Sequence, residues 1–297
     1  MDDTTEQVHA DPARHRGYEQ RAIDRLWDFA DPIASEARFR AAAADESTSP
    51  HLRAVMATQV ARALGIQRRT AEALEALDRI DTTEAGGDPA ETAELDSRVE
   101  LERGRLLADA GRIDEALAAL TRAVRGAVHA GSTFLALDAV HMLALHDAGH
   151  EQEWAEQGLE LLAAERDPRV LRWGVALHNN LGWTLHDGGD AEAGLAQFEL
   201  AVAAADRFGS LEQQQVARWS VGRALRSLGR IEEALAVQRE LVLVRPDDPW
   251  VRVELDALAQ VDDAAQATAS GAASAAPSGE ASGGASRVTE AGPTIEA

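Results

Sequence analysis

The chain has 297 residues, of which 45% are hydrophobic and only 4% aromatic, and it contains no cysteine. All 29 basic residues are arginine, because the sequence contains no lysine. This composition excludes thiol nucleophiles, disulfides, zinc-thiolate and iron-sulfur sites, Schiff-base lysines and the lysine of a GxxxxGK[ST] phosphate loop.

The formal net charge is −22. Nucleic acids and anionic membranes are bound mainly through their phosphates, so the surface as a whole repels both. The N-terminus has no apolar run behind a basic start, and no stretch approaches the roughly 18 apolar residues that cross a bilayer. We therefore expect a cytoplasmic protein with neither a membrane nor a nucleic-acid partner. Its lysine-free, arginine-rich usage resembles that of high-GC bacteria.

The two ends of the chain differ in composition from the rest. Residues 261–297 are dense in Gly, Ser and Ala, and they bury too little apolar surface to offset the entropy of ordering. We predict a disordered tail there and a disordered N-terminus over residues 1–17. The folded body is then expected over residues 18–260.

Within the body, turn glycines recur at a regular interval. Gly111, Gly149, Gly189 and Gly229 are spaced by 38, 40 and 40 residues, and each lies between two apolar helical stretches. A glycine that ends a helix adopts the left-handed conformation without steric cost. The period therefore predicts an array of helix–turn–helix units.

Two of these units, NLGWTLHDGGDAEAGLAQFELA (180–201) and GRALRSLGRIEEALAVQRELVLVRP (222–246), resemble tetratricopeptide repeats. The family places a small residue in the first helix, as at Gly182 and Gly222, and another in the second, as at Ala234. Pro246 matches the family's terminal proline. The resemblance covers most of residues 19–246 and extends to uncharacterised bacterial proteins of this class. It implies a binding function and brings no known reaction.

The earlier units follow the pattern less closely. In VARALGIQRRTAEALEALDRI, Arg68 stands where the turn glycine is expected. Before it, Asp31 and Pro32 predict the start of the second helix of a capping pair. In the unit HMLALHDAGHEQEWAEQGLELLA, Met142 and Trp154 occupy positions expected to be small. Helix packing is therefore expected to be least regular in that unit.

The first helix of each unit carries a second stripe, about a third of a turn from its packing stripe. First helices line the binding surface of a repeat array, so we expect this stripe to face the partner. Arginine and tryptophan dominate binding hot spots. We predict that the partner-binding residues are Arg62, Arg105, Asn179, Trp183, His186, Trp219, Arg223 and Arg226.

Two alternatives compete with this interpretation. In the simpler one, the arginines pair with nearby glutamates and the tryptophans fill space between units. In the other, the repeated LHD motifs, His146–Asp147 and His186–Asp187, hold a metal or act as acid and base in a hydrolase or ligand sensor. A repeated motif at a helix end is already explained by repeated structure.

The sequence thus predicts an all-α, right-handed solenoid of five to six tetratricopeptide-like helix pairs, closed by a last helix near PWVRVELDALAQ. The expected function is non-enzymatic: a scaffold whose concave groove binds an acidic or carboxylate-bearing peptide or partner segment. No cofactor or metal is expected. The oligomeric state and the partner's identity stay open.

Overall fold

A computed structural model describes residues 20–85 and 87–269, with backbone only for 262–269. All regular secondary structure in these residues is helical, which confirms the all-α fold class. The chain divides into two compact units, Met1–His150 and Glu151–Ala297, here called unit 1 and unit 2. No helix in the described part of the chain combines the length and the apolar character needed to cross a membrane.

Unit 1 is built from short-turn helix pairs. Its helices are α1 (described over residues 20–26), α2 (Pro32–Ala43), α3 (Pro50–Ile66), α4 (Thr70–Asp78), α5 (Thr82–Ala85), α6 (Pro89–Asp109), α7 (Ile113–Ala130) and α8 (Thr133–His146). The predicted start of α2 is confirmed: the Asp31 carboxylate accepts a hydrogen bond from Ala34 N at 2.9 Å, and Pro32 follows as the first helical residue. The core contains fully buried Phe39 and Val55.

Unit 2 repeats the same arrangement. Its helices are α9 (Glu151–Ala163), α10 (Pro168–Leu171), α11 (Trp173–Asp187), α12 (Ala191–Phe208), α13 (Leu211–Ser227), α14 (Ile231–Val244) and α15 (Pro249–Ala269). α11 pairs with α12, α13 pairs with α14, and α15 packs against both members of the last pair. Phe198, Ala224 and Leu258 lie in one buried cluster of this unit. α15 is the predicted last helix.

The turn glycines adopt the predicted backbone conformation. Gly111, Gly149, Gly189 and Gly229 have φ angles of 73°, 91°, 99° and 73°. Arg68, which replaces the glycine of the second unit, also has a positive φ, of 63°. The helix–turn–helix geometry is thus kept there without glycine, at the steric cost that a Cβ carries in this region.

Small residues allow the paired helices to approach closely, as the tetratricopeptide pattern predicts. A Cβ atom placed on Gly182 would lie 2.5 Å from Phe198 Cε1, and one on Gly222 would lie 2.4 Å from Gln238 Nε2. Both neighbours are fully buried on the second helix of the pair. The predicted register of α11 on α12 and of α13 on α14 is therefore confirmed.

One predicted boundary differs in the structure, and two predicted segments lie outside the described residues. α15 continues to Ala269, past residue 260, where the folded body was expected to end. Alanine, glutamine and aspartate fill this extension, and alanine is the strongest helix former. The predicted loose N-terminus over 1–17 lies outside the described residues, as does the predicted tail from residue 270 onward. The division into units falls at His150, inside the repeat in which Met142 and Trp154 replace small residues.

Candidate functional site: an arginine–tryptophan face

The structure distributes the predicted binding residues over both units. Arg62 and Arg105 belong to unit 1, on α3 and α6. The remaining six lie in unit 2, on α11 and α13.

In unit 1, the predicted arginines contact carboxylates of the chain itself. Arg62 Nη1 lies 3.9 Å from Glu102 Oε1, and Arg105 Nε lies 3.5 Å from Glu102 Oε2. Arg105 Nη2 also donates a hydrogen bond to Asp138. Glu102 and Asp138 are both buried, so these arginines compensate charges inside the fold. This matches the simpler alternative for Arg62 and Arg105.

The buried charges of unit 1 shift one another's pKa values. Burial raises the pKa of Glu102 above its usual value, against the effect of Arg62 and Arg105. Burial also acts to raise the pKa of Asp138, but the same two arginines outweigh it and lower that pKa. Burial lowers the pKa of His141 to about 4. His141 is therefore neutral in the folded protein at neutral pH.

Arg62 has a second role at the edge of unit 1. Its guanidinium carbon lies 5.9 Å from the ring centroid of Trp27 and 5.8 Å from that of Phe29. These two rings are stacked, with centroids 4.6 Å apart. Such cation–π contacts hold a guanidinium in place without neutralising it. Arg62 is thus shared between aromatic rings and Glu102.

In unit 2, the predicted tryptophans form part of a continuous aromatic series. The ring centroids of Trp183 and Trp219 lie 5.9 Å apart, and those of Trp219 and Trp250 lie 5.8 Å apart. The ring centroid of Trp183 also lies 4.9 Å from that of Phe198 and 5.3 Å from that of His186. The series links α11, α13 and α15.

Two of the predicted residues are too buried to contact a partner directly, which corrects their assignment to an open surface. Asn179 has no exposed surface and Trp219 is 5% exposed. Asn179 Oδ1 accepts a hydrogen bond from Ser220 Oγ at 2.9 Å, and Trp219 Nε1 donates to Trp250 O at 3.1 Å. The reason is that α11, α13 and α15 approach closely enough to enclose both side chains.

The two arginines of α13 converge on one acidic residue of α15. Arg226 donates to both carboxylate oxygens of Glu254, from Nε at 2.5 Å and from Nη2 at 3.1 Å. Arg223 Nε lies 3.9 Å from Glu254 Oε2, and its Nη1 donates to Ser227 Oγ at 2.6 Å. Glu254 is 2% exposed, whereas the side chains of Arg223 and Arg226 are 18% and 19% exposed.

In unit 2, the partly exposed members of the predicted set are therefore Trp183, His186, Arg223 and Arg226. We call these four residues the arginine–tryptophan face. At the α15 end, Trp250 is 43% exposed and Val253 is 54% exposed. Both add apolar surface to unit 2.

The LHD histidines do not assemble a metal site among the described residues, where no group of three or more His, Cys, Asp or Glu side chains could hold an ion. His186 Nδ1 lies 3.0 Å from Asp187 Oδ1. Near the other motif, His150, which follows the turn, has its Nδ1 3.4 Å from Asp147 Oδ1. His146 is half-buried, and burial lowers its pKa. The residues of the LHD motifs therefore do not provide the set of ligands that a metal site requires.

The sequence interpretation missed the carboxylates that meet the arginines, Glu102, Asp138 and Glu254, and it also missed Ser227. One signal was available for Glu254: it interrupts the buried stripe of α15 between Val251 and Leu258, which are both fully buried. An acidic residue at a core position requires a cationic partner. Ser227 lies 41 residues after His186, close to one repeat period.

Comparison with known proteins agrees with these helix pairs. Residues 217–248 match the family model described as a tetratricopeptide repeat. The match falls on α13 and α14, where the sequence resemblance is strong, and confirms a tetratricopeptide repeat in this helix pair. Repeats of this class are generally protein-interaction modules.

A solved structure, the P58(IPK) TPR domain determined at 2.5 Å, is also similar to the chain. The identity is 15% and the TM-score is 0.31, over 89% of this chain and 69% of the other. No curated protein matches the sequence.

Proposed function

We propose that the protein is an interaction scaffold and that a partner segment binds unit 2 across the arginine–tryptophan face. The observation that carries the proposal is the state of Arg226. Its Nε and Nη2 groups bind Glu254, while its Nη1 makes no hydrogen bond to any described residue and the side chain is partly exposed. A guanidinium has five N–H donors and no acceptor, so the group suited to Nη1 is a carboxylate or a carbonyl oxygen.

The aromatic series extends the proposal to the partner's apolar groups. Trp250 and Val253 are exposed on α15, and Trp183 is partly exposed on α11. Tryptophan supplies a large contact area at a low cost in conformational entropy. The partner segment is therefore expected to combine at least one acidic residue with an apolar one, rather than to be uniformly acidic.

The net charge of the chain also restricts the class of partner. With a formal charge of −22, the protein repels polyanions at long range, so the proposed partner is a protein and not a nucleic acid or a membrane. The acidic group of the partner must be attracted locally, by arginines that lie within a few ångströms of it. We place this interaction in the bacterial cytoplasm.

The test is a selection of random twelve-residue peptides displayed on phage against the full-length protein. Enriched peptides should contain Asp or Glu together with a large apolar residue. Their affinity, measured by calorimetry, should fall about tenfold in Arg226→Lys, because a hydrogen bond to a charged group contributes roughly 1.5–3 kcal/mol. Lysine keeps the positive charge beside Glu254 but lacks the guanidinium fork.

The matched control is Arg230→Lys. Arg230 donates to Glu233 at 2.7 Å, is 45% exposed and lies at the start of α14. The same substitution there should leave peptide affinity unchanged. Enrichment of peptides without acidic residues, or equal losses in the two variants, would contradict the proposal.

A further inference from the structure

Ser227, His186 and Asp187 form an unbroken chain of hydrogen bonds at the ends of α11 and α13. His186 Nδ1 lies 3.0 Å from Asp187 Oδ1, and His186 Nε2 lies 2.9 Å from Ser227 Oγ. Both separations are within hydrogen-bonding range. This order of carboxylate, imidazole and hydroxyl is the one in which a histidine acts as a general base toward a serine.

The carboxylate determines which imidazole nitrogen carries the proton. Asp187 accepts at Nδ1, so the neutral ring bears its hydrogen there and presents a lone pair at Nε2. That lone pair faces Ser227 Oγ at 2.9 Å, and the hydroxyl can donate its hydrogen either to Nε2 or to Arg223 O, which lies 3.3 Å away. The side chain of His186 is 10% exposed and its ring packs edge-on against Trp183 at 5.3 Å, which keeps the imidazole in this orientation.

A cation lies next to the hydroxyl oxygen. Arg223 Nη1 donates to Ser227 Oγ at 2.6 Å. A donor at this distance stabilises negative charge as it develops on the oxygen. Ser227 itself is exposed at the last residue of α13, so a small reagent can approach it.

From this geometry, we propose that Ser227 is an activated nucleophile that accepts the acyl group of small, unhindered carboxylic esters. This inference goes beyond the proposed binding function and does not depend on it. His186 is the general base, Asp187 orients it, and Arg223 donates a hydrogen bond to the nucleophilic oxygen. All four groups lie within unit 2.

The reaction has two balanced steps. Ser227 Oγ bonds to the ester carbonyl carbon while its proton moves to His186 Nε2, and the bond from that carbon to the alcohol oxygen then breaks as the alcohol takes the proton from His186. An acyl-serine remains. Water, activated by the same nitrogen, then releases the carboxylic acid and restores the hydroxyl.

The proposal is tested with a small alkyl fluorophosphonate, which phosphonylates activated serines, on the full-length protein. The adduct is located by peptide mass spectrometry. Ser47 is an internal control, because it is exposed and its Oγ bonds to Asp45 at 2.6 Å with no imidazole contact among the described residues. We expect Ser227 to be modified at least about tenfold faster than Ser47, since general-base assistance contributes roughly 10²–10⁴ in rate.

Variants distinguish activation of Ser227 by His186 from a hydrogen bond that only links α11 to α13. His186→Asn should slow modification of Ser227 at least about tenfold, and Asp187→Asn should slow it by favouring the wrong tautomer. Ser227→Ala should prevent p-nitrophenyl acetate hydrolysis and keep the affinity for selected peptides. Equal labelling of Ser227 and Ser47 in the wild-type protein would overturn the proposal without requiring any variant to fold. Unchanged labelling of Ser227 in His186→Asn would also overturn it.

Discussion

Replacing Gly182 with alanine tests the helix-pair geometry with the smallest possible change. The added Cβ would lie 2.5, 2.6 and 3.0 Å from three ring atoms of Phe198, where carbon atoms at rest are roughly 3.5–4.0 Å apart. Phe198 is fully buried and contacts Trp183, so its ring cannot move by about 1 Å without displacing the tryptophan. Overpacking of this kind costs about 1–3 kcal/mol.

Helix propensity acts in the opposite direction. Alanine is favoured over glycine in a helix interior by about 1 kcal/mol, so the expected net loss for Gly182→Ala is up to about 2 kcal/mol. In a domain of this size, the upper value corresponds to a fall of about 4–8 °C in Tm. The free energy of unfolding is measured by urea titration followed by circular dichroism.

The same helix provides a matched control. A Cβ on Gly174 would meet Ala204 Cβ at 3.6 Å and Leu162 Cδ1 at 3.7 Å, which are ordinary contacts. Gly174→Ala should therefore raise stability, by up to about 1 kcal/mol. If both glycine variants were stabilised equally, the close approach of α11 and α12 at Gly182 would be refuted. Phe198→Leu should relieve the strain and produce a coupling of about 1 kcal/mol in a double-mutant cycle with Gly182→Ala.

Three further predictions concern charge and binding. Glu254→Gln should cost about 1–3 kcal/mol in urea denaturation, because it leaves Arg226 without its buried counter-charge. Glu233→Gln, on the exposed side of α14, should have a clearly smaller effect, because solvent screens that ion pair. The pKa of His141 is about 4 in the folded protein and near 6.5 in the unfolded chain, so the unfolded state binds a proton that the folded state does not. The free energy of unfolding should therefore fall by about 2 kcal/mol between pH 8 and pH 5. His141→Gln should remove this part of the pH dependence. Trp250→Ala should lower the affinity for the phage-selected peptides about tenfold without lowering Tm by more than a few degrees. An undiminished affinity would exclude α15 from the binding surface.

Local pattern was sufficient to predict the helix pairs. Glycines at a 40-residue interval predicted the turns, and the positive φ angles of Gly189 and Gly229 agree with that prediction. Gly182 and Gly222 predicted the contact line between helices, because the absence of a side chain matters only where another helix is close. Arg68 is the exception, since its left-handed backbone is imposed by the flanking helices and not by its own preference.

The acidic partners of the arginines could not be predicted from local sequence pattern. Periodicity indicates which face of a helix a residue occupies, but it does not identify the groups on neighbouring helices. Arg105 and Asp138 are 33 positions apart, and Arg226 and Glu254 are 28 apart. The burial of Trp219 depends on the approach of α15, which the pattern of α13 does not specify. The pattern of α13 therefore predicted a stripe of residues but not the groups of neighbouring helices that surround it.

The buried ion pair of unit 1 has a consequence for how this sequence can diverge. Because Asp138 is buried and contacts Arg105, replacing Arg105 removes the hydrogen-bonded cation of a buried carboxylate, and replacing Asp138 removes a carboxylate that Arg105 contacts besides Glu102. Descendants of this sequence should therefore either keep both residues or exchange both for apolar residues of similar volume, and single replacements should be rare. Homologous sequences are accordingly expected to show positions 105 and 138 covarying more strongly than the exposed pair at positions 112 and 115.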